Sequence, residues 1–158
     1  MKKLFAVALV LACAVLAGCM PQDKPMPSKL VKGVSLLKAV VKNGKPEYEA
    51  NQTHFSRGKQ DGYCWFAAFK DGYKGQPIMV TETIQMPDKG VFTTEGADWK
   101  ATSSADGKVW TIKGMREATK NGTGNCWEIS ADDPLGDYTL AVDINGECQH
   151  TFAFTIEQ

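Results

Sequence analysis

The last thirty residues leave this chain few folds to choose from. Tyr138, Leu140, Val142 and Ile144 alternate with Thr139, Ala141 and Asp143, the pattern of a strand with one buried face. Asn145-Gly146 follows, and it favours a tight two-residue hairpin of type I′. The chain then returns through residues 148–156 with Phe152, Phe154 and Ile156 on one face. Asp132-Asp133-Pro134-Leu135-Gly136 turns the chain just before this pair.

The same grammar runs upstream. Residues 34–42 read as a first strand that stops at Asn43-Gly44. Residues 43–61 are polar and irregular, a long loop or a poorly formed edge strand. Gly62–Phe69 is the most apolar stretch beyond the N-terminal leader. Tyr63, Trp65, Ala67 and Phe69 share one face and Cys64, Phe66 and Ala68 the other, which predicts a central strand. Ile78, Val80, Ile84 and Met86 alternate with Met79, Thr81, Thr83 and Gln85 between Pro77 and Pro87. Residues 91–94 suggest a short strand. Residues 99–103 and 108–113 flank the hairpin signal Ala105-Asp106-Gly107. Residues 115–120 suggest one helical turn. Residues 126–130 form another strand with Trp127 and Ile129 inward. Turn signals every 8–12 residues or so predict an antiparallel sandwich, or a small antiparallel β-barrel.

The series Trp127-x-Ile129, Pro134-x-Gly136-x-Tyr138, the two alternations about Asn145-Gly146, and Phe152-x-Phe154-x-Ile156 resembles the final strands of bacterial immunoglobulin-like domains. The resemblance implies an all-β, immunoglobulin-like β-sandwich over residues 33–158. It says nothing of activity, because this fold hosts many unrelated functions. The Cys-Trp-Cys arrangement of antibody domains is missing. In such a sandwich, strands that run the same way begin at the same end, so the strands that open at Cys126 and Cys148 begin together. That favours a Cys126–Cys148 disulfide worth about 3 kcal/mol, with Cys64 as a packed core thiol. Two observations stand beside it. Alternation puts Cys148 inward and Cys126 outward, and three free buried thiols are the other reading.

At the other end of the chain, Lys2 and Lys3 precede an apolar run of 13 residues, Leu4 to Leu16, and Leu16-Ala17-Gly18-Cys19 closes it. A basic start, a short apolar core and small residues make a secretory signal. The core is shorter than the ~20 residues of a membrane span. The closing string resembles the bacterial lipobox. That resemblance implies cleavage after Gly18, diacylglycerol on Cys19 and a protein held on a membrane by its lipid. Met20 stands where an Asp commonly retains enterobacterial lipoproteins in the inner membrane, which points by analogy to the outer membrane, facing the periplasm. The expected organisation is a signal peptide at 1–18, a lipid-anchored tether at 19–32 and the sandwich at 33–158. Pro21, Pro25 and Pro27 favour extended backbone in the tether.

Charge narrows the partners. The chain has 18 basic and 18 acidic residues, with no basic stripe, so nucleic acid is not expected. Of five cysteines, Cys13 leaves with the signal and Cys19 takes the lipid. The oxidising envelope then permits one bridge among Cys64, Cys126 and Cys148. No metal-ligand spacing occurs, and no cofactor is expected. Asp132, Asp133 and Asp137 could gather Ca²⁺, but turn acids are the commoner explanation.

The expected function is a lipid-anchored envelope lipoprotein with a non-enzymatic binding or structural accessory role, with an envelope protein or glycan as partner. One alternative is a glycan- or peptidoglycan-binding module that uses Trp99 and Trp110 as contact aromatics. The other is a small envelope hydrolase built around His54 or His150, each of which would need an orienting acid and a nucleophile in reach.

Overall fold

The computed structural model of the chain describes residues 30–42, 45–59, 61–70, 75–94 and 98–158. The expected signal peptide, Cys19 and the tether up to residue 29 lie outside these residues. In chain order the strands are β1 (Val31–Lys42), β2 (Lys45–Ala50), β3 (His54–Ser56), β4 (Gly62–Phe69), β5 (Pro77–Gln85), β6 (Trp99–Ser103), β7 (Val109–Glu117), β8 (Thr123–Glu128), β9 (Gly136–Ile144) and β10 (Cys148–Glu157). A single 3₁₀ turn, Arg57–Lys59, follows β3.

They make two sheets, one ordered β2-β1-β4-β8 and the other β3-β10-β9-β5-β7-β6. Neither sheet closes on itself, so the fold is a sandwich and not the barrel. All pairings are antiparallel except the short β3 beside β10. β4 takes the interior place its sequence predicts, between β1 and β8.

The core lies between the sheets. Tyr63, Trp65 and Ala67 of β4 face Ile78, Val80 and Ile84 of β5 and Leu140, Val142 and Ile144 of β9, all buried. Each such aliphatic side chain contributes roughly 1.5–3 kcal/mol on burial. The terminal hairpin forms as predicted: Asn145 and Gly146 have φ of 56° and 71°, both positive as a type I′ turn requires. Asn145 also clips the turn to β5, since its Oδ1 accepts from Met79 N at 2.8 Å and its own N donates to Met79 O at 2.9 Å. At the start of β9, Tyr138 Oη donates to Pro134 O at 2.6 Å. This is the tyrosine corner of immunoglobulin-like sandwiches, in which a strand-start Tyr bonds the backbone a few residues upstream.

Four local expectations need correction. The segment 43–61, expected as a long loop or a poorly formed edge strand, contains the edge strand β2, in line with the second alternative, and also the short parallel strand β3, which was not expected. Residues 91–94 are not a strand. Residues 115–117 are not helical but continue β7, because Ile78↔Arg116 and Pro77↔Glu117 extend its ladder with β5. The strand expected at 126–130 begins earlier, at Thr123, where Ala67 is its partner. In the last two cases a neighbouring strand overrides weak local preference.

Candidate functional site

The fifth strand holds an unusual core residue. Along β5, Ile78, Val80 and Ile84 point inward, and Glu82 occupies the slot between Val80 and Ile84 in the same phase. Its exposure is 0%. An unpaired carboxylate at such a place is costly, so its partners decide whether the core holds. They come from the opposite sheet. Trp127 Nε1 donates to Glu82 Oε2 at 2.6 Å and Asn125 Nδ2 donates to Oε1 at 3.0 Å. Asn125 and Trp127 are alternate residues of β8 and so share its inner face.

Asn125 carries the network outward. Its Oδ1 accepts from Arg116 Nη2 at 2.9 Å. Arg116 in turn lies over the Trp99 ring, 4.7 Å from its centre. Trp99 reaches that position because its partner across the β6–β7 ladder is Gly114. A Cβ at Gly114 would sit 2.4 Å from the Trp99 ring. Phe92 completes the aromatic wall, its ring perpendicular to that of Trp127 at 5.0 Å.

These residues line a cleft of about 650 Å³ between the edge of the four-stranded sheet and the β6–β7 hairpin. Thr93, Thr94, Glu128, Ser130 and Asp133 add polar groups to its walls. Burial pushes the Glu82 carboxyl above the usual glutamate range; the bonds from Trp127 and Asn125 and the Arg116 charge oppose that rise. Burial also lowers the Arg116 guanidinium, against the pull of Glu82. Among the described residues no carboxylate lies within ion-pair distance of Arg116. The site is equipped to hold a ligand by stacking and hydrogen bonds.

The sequence-predicted site residues fall differently. Cys126 bonds Cys64, not Cys148, with the two Cα atoms 4.0 Å apart. They are directly opposed in the β4–β8 ladder, a pairing that strand direction within a sandwich does not reveal. Cys148 is a free, buried thiol. Trp99 does line the cleft, but Arg116 covers a face of its ring. Trp110 does not line it. Its indole N–H donates to Gly90 O at 3.2 Å and Gly107 O at 3.3 Å, and its ring lies 5.9 Å from Phe92. The two residues therefore form no exposed aromatic platform.

The histidines stand apart from the cleft. His54 is exposed, with Nδ1 3.6 Å from Glu157. It shares a shallow depression with Thr155 and Asp137. The Thr155 hydroxyl gives its hydrogen to Asp137 Oδ1 at 2.8 Å, so His54 does not activate it. His150 packs on Phe152 at 4.6 Å, and burial lowers its pKa. The turn acids diverge: Asp133 Oδ2 accepts from Ser130 N at 2.7 Å, while Asp137 serves Thr155. Among the described residues no three acids, histidines or cysteines gather as a metal site.

Sequence reading missed Glu82, Arg116 and Asn125. The available signal was an acid in the inward phase of β5, which demands buried donors nearby.

Comparison with known proteins agrees with this architecture. The family model of the PM0630 beta sandwich domain matches residues 37–157. An immunoglobulin-like protein from Pseudomonas aeruginosa superposes with a TM-score of 0.51 at 9% identity, over 80% of this chain and 94% of that one. The likeness shows the fold alone. An alkylpurine DNA glycosylase from Pseudomonas fluorescens, bound to DNA containing an abasic site analog, overlaps at a TM-score of only 0.37 and 10% identity, over 79% of this chain and 30% of that one. A search of curated proteins finds no match.

Proposed function

The chain belongs to the PM0630 beta sandwich domain family, and from that premise we propose a lipid-anchored module of the bacterial cell envelope. Its role is to bind or brace another envelope component without chemistry of its own. An immunoglobulin-like sandwich fits a non-enzymatic binding or structural module.

The observation that carries the anchor is Leu16-Ala17-Gly18-Cys19 at the end of a short apolar core with a basic start. One acyl chain gives only marginal membrane binding, so two or more are needed for lasting attachment. The lipobox reading supplies them at a single residue. The Cys64–Cys126 disulfide supports the same compartment, because such bonds persist in oxidising surroundings.

Metabolic labelling with alkyne palmitate tests the anchor. The wild-type protein should take up label and fractionate with membranes. Cys19→Ala should do neither. Label that persists in Cys19→Ala, or an unlabelled and freely soluble wild type, removes the reading.

A further inference from the structure

We infer that the inter-sheet cleft binds a saccharide carrying a carboxylate, with the sugar ring against the Phe92–Trp127 wall and the acid on Arg116. The inference deepens the envelope-module reading and rests on it for the kind of ligand met there.

Arg116 is built to receive an acid. Its guanidinium lies over the Trp99 ring, 4.7 Å from its centre, and is fixed by the 2.9 Å bond to Asn125 Oδ1. Asn125 is fixed in turn by Glu82. The cation reaches Glu82 only through that amide, and among the described residues no ion pair occupies it. A planar guanidinium offers a fork of donors that matches a carboxylate. Because Arg116 is half-buried, the attraction is less screened than at an open surface.

The remaining walls suit a sugar. Phe92 and Trp127 pack edge to face with their rings 5.0 Å apart and give the cleft an apolar wall that suits the C–H face of a pyranose. Thr93, Thr94 and Ser130 supply hydroxyls around it. The volume of about 650 Å³ lies within the range of small-ligand sites. Glu128 and Asp133 line the same cleft. They oppose a dense polyanion such as a nucleic acid or polyphosphate, and they leave room for one isolated carboxylate among hydroxyls.

The full-length protein purified in detergent, whatever its acylation state, should be titrated with hexagalacturonate, N-acetylmuramic acid and neutral maltohexaose. Tryptophan fluorescence and calorimetry give the readout. At least one acidic probe should bind saturably, at least tenfold tighter than maltohexaose, and more weakly as salt rises. Arg116→Gln should abolish that preference. Where Arg116→Gln fails a near-UV circular dichroism check, Arg116→Lys carries the test; it keeps charge, loses the planar fork and should bind at least fivefold more weakly. Absence of saturable binding by both acidic probes, equal binding of maltohexaose, or an unchanged preference in the folded Arg116 variant overturns the proposal. A flat titration leaves palmitate labelling at Cys19 untouched, and failed labelling leaves the titration untouched.

Discussion

The Glu82 carboxylate and the Trp127 indole meet across the two sheets at 2.6 Å, the shorter of the two hydrogen bonds to this buried acid. The contact joins core to cleft, because Trp127 bonds Glu82 through its N–H while its ring forms part of the cleft wall. A polar residue placed where an aliphatic one would pack thus orients three others: Trp127 and Asn125 directly, and Arg116 through Asn125. Immunoglobulin domains of antibodies fill their centre with a Trp on the third strand against an inter-sheet disulfide. Here the disulfide is within one sheet, and a hydrogen-bonded acid shares the core with the fully buried Trp65.

Replacing Trp127 by Phe keeps most of the ring and removes the donor. The carboxylate then loses its shortest bond at a fully buried position. The expected cost is about 1.5–3 kcal/mol, the range for hydrogen bonds to charged groups. Urea unfolding at neutral pH measures it, and a loss below about 0.5 kcal/mol would mean that Glu82 does not depend on Trp127.

The pH dependence of Glu82 has a defined sign. Burial raises its native pKa above the ordinary glutamate value of 4.5. The folded state therefore holds more protons than the unfolded state between those two values. Stability from this group falls as pH rises through that window and is regained on acidification. Glu82→Gln cannot titrate and should lack this component. Subtracting the two unfolding free energies from pH 4 to pH 8 isolates the group from the other acids. The wild type should lose ground to the variant as pH rises; parallel curves would contradict the assignment.

The disulfide gives a chemical prediction. The sequence separation of 62 between Cys64 and Cys126 makes a long loop, and reduction should cost about 2–4 kcal/mol. Peptide mapping after alkylation under denaturing, non-reducing conditions should find Cys148 modified and Cys64 linked to Cys126. Modification of Cys64 instead would restore the Cys126–Cys148 pairing expected from sequence.

How much of this could be read in advance depends on which contacts were local. The hairpin at Asn145-Gly146 was legible because its turn chemistry and its flanking alternation are contiguous. The disulfide was not, because β4 and β8 are neighbours in space while three strands separate them in sequence. Alternation did put Cys126 and Cys148 on different faces, and that observation proved stronger than the argument from strand direction. Arg116 was hidden in Met115-Arg116-Glu117-Ala118, which favours a helical turn locally and yields to the β5 ladder. Glu82 escapes the pattern because it breaks the apolar run that defines its strand. Its site exists only once β8 brings two donors to it.

The tyrosine corner should behave as a local brace. Tyr138 is buried, its ring stacks on Phe154 at 5.3 Å, and its hydroxyl donates to the Pro134 carbonyl. Tyr138→Phe preserves the stacking and removes that bond. A loss of about 0.5–1.5 kcal/mol is expected, with no change in the denaturant slope. A change in slope would point to a wider rearrangement of β9.

Gly114 offers the sharpest test of how the cleft is built. Its hydrogen is the only substituent that the facing Trp99 ring allows, since a Cβ would lie 2.4 Å from that ring. Gly114→Ala therefore has to displace Trp99. A free-energy cost of about 1–3 kcal/mol follows from overpacking at a buried position. The second consequence is more specific. Arg116 lies over Trp99, so a displaced ring withdraws the surface that supports the guanidinium. Trp99→Leu removes the ring without adding a clash and serves as the control. If the cleft depends on the stack, both variants should weaken binding of an acidic saccharide, and Gly114→Ala combined with Trp99→Leu should be more stable than Gly114→Ala alone. Additive stability losses in the double variant would show that Gly114 and Trp99 are not coupled, and the account of why this strand carries a glycine would fail.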